Sequence, residues 1–109
     1  MSYKVKTTDV FEKQAKRLIK KYSSLKAELL HLVQELKVNP EQGTAIGKSC
    51  FKIRIAIASK GKGKSGGARI IANVIITEAT VYMLSIYDKS EKENLTDKEL
   101  EELLKALPK

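Results

Sequence analysis

The sequence predicts an α+β domain in the order strand, helix, helix, three antiparallel strands, helix, with the helices on one face of a sheet and positive charge on the other. Three observations predict it. Apolar residues recur at helical spacing in two adjacent stretches near the start and in one at the end. Between them, residues 50–58, 69–77 and 81–89 read as strands, by period-2 alternation or by a near-continuous β-branched run. The stretch 42–77 holds no acidic residue and seven of the 21 basic ones: Lys48, Lys52, Arg54, Lys60, Lys62, Lys64 and Arg69.

At 109 residues the chain is read as one domain spanning 1–109, large enough for a single modest core. Its net charge of +8 is uneven. Residues 1–41 carry nine bases and five acids, 42–77 seven bases and none, and 78–109 five bases and eight acids. A central cationic stripe fits a polyanion, and nucleic acid fits better than a membrane because no basic helix with aromatic anchors accompanies it. No apolar run approaches a membrane span, and the first residues lack a signal-peptide core, so a cytoplasmic protein is expected. One cysteine, Cys50, excludes an internal disulfide and reads as a small buried hydrophobe.

Residues 3–7 alternate and give a short strand at or near a sheet edge, given Lys4 and Lys6. Asp9 with Glu12 reads as a capping pair opening a helix whose apolar stripe is Phe11, Ala15, Leu18 and Tyr22. Ser23 and Ser24 break that helix and start another, striped by Leu25, Leu29, Leu32 and Leu36 and stopped at Asn39-Pro40. His31 lies on it as a packing or surface residue. Residues 41–49 are loop-like. From Cys50, Ile53, Ile55 and Ile57 fall on one face of a strand. Lys52 and Arg54 fall on the other, about 7 Å apart.

Residues 59–67 (SKGKGKSGG) read as a mobile, lysine-rich tongue at a hairpin tip. Its GKS is not a phosphate-binding P-loop, because Ala58 stands where that motif needs its first glycine and a strand follows instead of a helix. Arg69 opens a central strand buried on both faces. After a turn at 78–80, the last strand sets Ser85, Tyr87 and Lys89 on one side and Tyr82, Leu84 and Ile86 on the other. Thr96 and Glu99 form a capping box, with Leu95 stapled to Leu100, and the final helix carries Leu103, Leu104 and Leu107.

One His and one Cys supply neither a transition-metal site nor a histidine ribonuclease pair, so no metal or cofactor is implied. Lysine, arginine and the Tyr87 phenol remain. Crowded cations can grip phosphate, and they can also cleave RNA through its own 2′-hydroxyl. One lysine lowered by its neighbours then serves as base or acid, while arginines hold the pentacoordinate phosphate. The residue pattern leaves both open, with plain phosphate binding the simpler reading.

The KIR strand at 52–54, the Lys/Gly loop, GGAR at 66–69 and IYDKSE at 86–91, in that order and spacing, resemble toxins of the RelE/ParE superfamily of toxin-antitoxin modules. They are most similar to its HigB-type branch. The resemblance implies the small RelE-like fold, β-α-α-β-β-β-α, and a metal-independent endoribonuclease that cleaves translated mRNA in the ribosomal A site. It also implies a cognate antitoxin, helix-turn-helix in type and with an acidic segment, as the partner that holds the toxin inactive. Carried over by position, Lys52 is the general base or proton relay, Arg54 and Arg69 stabilise the phosphorane, and Lys89 is phosphate clamp or acid. RelE places a tyrosine where this chain has Leu95, so either Tyr87 is the phenol that stands in or acid-base duty lies wholly with the cations. Lys48, Lys60, Lys62 and Lys64 are expected to bind RNA. Two alternatives stay open: a ParE-like inhibitor of DNA gyrase, and an RNA-binding module without turnover.

Overall fold

The computed structural model describes every residue except Met1, Lys62, Lys64, Ser65 and Lys109. In chain order it contains β1 (Lys4–Thr7), α1 (Asp9–Lys21), α2 (Leu25–Val38), β2 (Thr44–Gly47), β3 (Cys50–Ile55), β4 (Ala68–Ile75), β5 (Thr80–Asp88) and α3 (Asp97–Lys105). The sheet runs β1-β5-β4-β3-β2. β1 lies parallel to β5 and the other pairs are antiparallel.

The apolar stripes of α1 and α2 bury Phe11, Leu18, Leu25, Leu32 and Leu36 against Ile53, Ile57, Ile70, Ala72, Val81, Met83 and Ile86, which form the main core. α1 is capped by Thr8, whose Oγ1 accepts from the Phe11 N–H at 3.2 Å, and the expected cap Asp9 is the first helical residue. The capping box of α3 forms as expected, with Thr96 accepting from the Glu99 N–H and Glu99 accepting from the Thr96 N–H.

Three features differ from the sequence reading. The segment expected as loop contributes β2, a short edge strand pairing Thr44 with Lys52 and Ala45 with Phe51. Four residues flanked by glycines are too few to show alternation, and pairing to β3 makes the strand. Gly43 permits it, since its φ is +89° and a Cβ would come 2.2 Å from the Lys52 carbonyl oxygen.

The helices do not share one face. α1 and α2 cover the first face, whereas α3 crosses the second, where Leu100 packs with Cys50, Ile71, Tyr82, Leu84 and Tyr87. β4 and β5 are apolar on both sides, so the second face needs its own cover.

A bulge in β5 also breaks strict alternation. Ile71 pairs with Ser85 but Ala72 pairs with Met83, leaving Leu84 as the extra residue. Ile86 thereby joins Val81 and Met83 in the main core, and Tyr87 falls on the same face as Tyr82 and Leu84.

The base of the tongue is built and anchored. A 3₁₀ turn at Ala58–Lys60 is held by α2, with the Ala58 N–H donating to Glu28 at 2.8 Å and the Ser59 N–H to Ser24 Oγ at 2.9 Å. At its other end Gly67 lies against β3, where a Cβ would meet the Ile55 carbonyl oxygen at 2.0 Å. Backbone cannot yield as a side-chain tip can. Gly67→Ala is therefore expected to destabilise by about 1–3 kcal/mol, read as a lower urea midpoint at unchanged m-value.

Candidate active site

The strand register assembles the candidate residues. Arg54 on β3 pairs with Arg69 on β4, and Arg69 pairs with Tyr87 on β5, so the three form a cross-strand row. Two residues along, Lys52 pairs with Ile71, which puts Lys52 on the same face as the row. Period-2 alternation on β3 sends Ile53 into the main core and so obliges Lys52 and Arg54 to face away from it.

The row is graded in burial. Arg54 is exposed, Lys52 half-buried, and Arg69 and Tyr87 are only 4% and 5% exposed. Burial lowers the Arg69 pKa from the ordinary arginine value, and the neighbouring Arg54 charge lowers it further. An Arg69 Nη donates to the Ala68 carbonyl oxygen at 3.3 Å. Burial likewise pushes the Tyr87 phenol upward, partly offset by Arg69 and Lys92, so it is protonated at neutral pH.

Among the described residues, the Tyr87 hydroxyl is the one buried side-chain polar atom without a hydrogen-bond partner. Native proteins leave few such groups. Tyr87 lines a cleft of about 320 Å³ with Gln14, Ser85, Lys92, Leu95 and Glu99. Lys52 lines a smaller hollow of about 170 Å³ under the start of α3, which also has Leu95 in its wall. Leu95, in the wall of both, therefore stands between Tyr87 and Lys52.

Other expected site residues sit elsewhere. Lys89 extends the β4–β5 ladder, its N–H donating to the Gly67 carbonyl oxygen at 3.0 Å, while its Nζ donates to the Glu93 carbonyl oxygen at 3.3 Å. Lys48 is exposed and paired with Glu101 of α3 at 3.0 Å. Lys60, expected on the tongue as an RNA contact, turns inward instead and meets Asp88 Oδ1 at 2.6 Å on the α1 side of the sheet. Lys62 and Lys64 lie outside the described residues. His31 is on the surface, 3.7 Å from Glu35.

Sequence reasoning missed Lys92, which pairs with Glu99 beside Tyr87. It also missed Gln14, whose side-chain oxygen accepts from Ser85 and from the Ile86 N–H. Only the cross-sheet geometry reveals either. Among the described residues, no three His, Cys, Asp or Glu side chains group as metal donors. No helix among them is long and apolar enough to cross a membrane.

A cationic row thus crosses one face of a small α+β sheet. Two solved structures share the fold. The isolated Escherichia coli RelE toxin is 18% identical with a TM-score of 0.63, covering 97% of this chain and all of that one. A double arginine-to-alanine mutant of the same toxin in the free state is 18% identical with a TM-score of 0.61, covering 96% of this chain and 97% of that one. The family model described as RelE toxin of the RelE / RelB toxin-antitoxin system matches residues 4–108, and the chain belongs to this family.

Proposed function

We propose that the protein is a ribosome-dependent mRNA endonuclease, the toxin of a toxin-antitoxin pair, acting in the cytoplasm without a metal. The observation that carries this is the Arg54–Arg69–Tyr87 row with Lys52 beside it, a set of two phosphate-gripping forks, an amine and a buried protonated phenol on one face. In the reaction the 2′-hydroxyl loses its proton to Lys52 as its oxygen bonds to phosphorus. Arg54 and Arg69 hold the pentacoordinate phosphate. The phosphorus–5′-oxygen bond then breaks, Tyr87 returns a proton to that oxygen, and the products are a 2′,3′-cyclic phosphate and a 5′-hydroxyl end. Lys89 serves as an outer phosphate clamp, and Lys48, Lys62 and Lys64 meet RNA backbone. Lys48, half exposed, can exchange Glu101 for phosphate, whereas Lys60 is left out because the buried Asp88 holds its ammonium. The antitoxin, with an acidic segment and a helix-turn-helix domain, covers the cationic face.

The deciding experiment adds the purified protein to a reconstituted translation reaction and to the same mRNA alone, and maps product 5′ ends. Cuts in reading-frame register only with translating ribosomes are the expected result. Cuts on naked RNA would make it a free ribonuclease, and none in either would bring gyrase inhibition or binding without turnover forward.

Tyr87→Phe tests the acid. The lost hydroxyl has no partner to strand, so the melting temperature should hold or rise slightly. Single-turnover cleavage should fall about 100-fold or more at unchanged ribosome affinity. In the wild type, cleavage should persist to alkaline pH and decline only as the raised phenol loses its proton.

A further inference from the structure

The cationic row stands near an end of the sheet. The β3–β4 ladder closes with Ile55 opposite Ala68 and the β4–β5 ladder with Ala68 opposite Asp88, so Arg54, Arg69 and Tyr87 lie one register position from that end. Ladder ends open more readily than centres. Arg54 and Arg69 also face each other directly, and like charges opposite one another push two strands apart. A row in that place needs something to hold the strand ends closed.

The Lys60 ammonium lies at that end, on the other side of the sheet. It donates to the Gly66 carbonyl oxygen at 2.8 Å, to Asp88 Oδ1 at 2.6 Å and to the Ser90 hydroxyl at 3.2 Å, which uses all three of its N–H bonds. Those acceptors belong to three places: the return of the tongue just before β4, the last residue of β5, and the turn that follows it. One side chain thus joins both ends of the tongue to the end of the ladder. Asp88 itself stands between Tyr87 and Lys89, and the Lys89 N–H donates to the Gly67 carbonyl oxygen at 3.0 Å. Apolar residues of the same volume often match or better a buried ion pair in stability, so a pair retained here points to geometry.

We infer, on the nuclease reading of the row, that Lys60 and Asp88 are positioning residues: they keep β4 and β5 paired through their last residues and so fix Arg69 and Tyr87 side by side for cleavage. Neither touches RNA. Asp88 is fully buried, and the Tyr22 hydroxyl of the helix layer donates to it at 2.5 Å, so both act from behind the row. Misplacing a reacting group by about 1 Å costs on the order of 100-fold in rate, which is the scale of effect a loosened strand end should have.

The test pairs amide hydrogen exchange with single-turnover cleavage on translating ribosomes. It compares the wild type with the double variant Lys60→Met, Asp88→Asn, which removes both charges and leaves neither unpaired, below the variant's melting temperature. In the wild type the Lys89 N–H, although at a ladder end, should exchange as slowly as amides at the centre of β4. In the double variant that protection should be lost at Lys89 and kept at the centre of β4, and cleavage should fall about 100-fold at unchanged ribosome affinity. Leu36→Ala, a core truncation at the end of α2 away from the tongue base, should lower the melting temperature and keep the wild-type rate. Fast exchange at Lys89 in the wild type would overturn the inference, and that measurement needs no variant to fold. Wild-type cleavage by a folded double variant would overturn it as well. Both of those results leave the nuclease reading standing, whereas a wild type that cuts no mRNA during translation overturns that reading and this inference together.

Discussion

Arg69→Ala is expected to abolish cleavage and cellular toxicity while leaving a folded protein. Arg69 is the middle of the row, with Arg54 on one neighbouring strand and Tyr87 on the other, so its loss removes the cation between the remaining fork and the acid. Removing one preorganised charge-stabilising group typically costs 100- to 1,000-fold in rate, about 3–4 kcal/mol of transition-state stabilisation. Some stability should go with the side chain, which is only 4% exposed and donates to the Ala68 carbonyl oxygen, but burial and the Arg54 charge disfavour a cation there and offset part of that loss. Single-turnover cleavage on translating ribosomes, read beside a thermal melt, checks both halves. Arg69→Lys should recover only a fraction of the rate, since an ammonium restores charge without the planar fork. Full toxicity in the alanine variant, with a DNA-damage response, would move the activity to gyrase.

Much of this site was legible in the sequence because it depends on period 2. Once Ile53, Ile55 and Ile57 are assigned inward, Lys52 and Arg54 must face outward, and Arg69 opens the next strand. The position of Tyr87 relative to that row was not legible. It depends on the Leu84 bulge, which shifts the phase of β5 by one residue and leaves no composition signal. The second-face placement of α3 was half-visible: an apolar β4 implied a cover without naming it. The inward turn of Lys60 toward Asp88 was not legible. A lysine among glycines looks solvated, and its partner Asp88 is 28 residues away.

Asp88→Asn should be among the most damaging single substitutions for stability. Asp88 is fully buried, and its carboxylate accepts from Lys60 Nζ at 2.6 Å, from the Tyr22 hydroxyl at 2.5 Å, and from the Ser90 N–H and hydroxyl at 2.9 and 2.8 Å. These contacts tie the tongue base, the end of α1 and the end of β5 to one group. Burial opposes its ionisation, but the Lys60 ammonium and the Tyr22 and Ser90 donors outweigh burial and hold the carboxyl far below the usual carboxylate range. Asparagine keeps the shape, loses the charge and strands an ammonium that is only 11% exposed. A cost of about 3 kcal/mol or more follows, a fall in melting temperature of roughly 10–20 °C. The sign with pH is fixed by the depression. The stabilisation is present above the unfolded-chain aspartate value of about 4 and is lost as pH falls below it toward the folded value. Wild-type stability should therefore drop more steeply below about pH 4 than that of Asp88→Asn. Lys60→Met alone should also be costly, because it leaves the carboxylate uncompensated. The double variant should be less damaged than the two single effects summed, and a double-mutant cycle measures the difference. A coupling near zero would show that the three segments are held by their apolar packing, with the ion pair incidental to it.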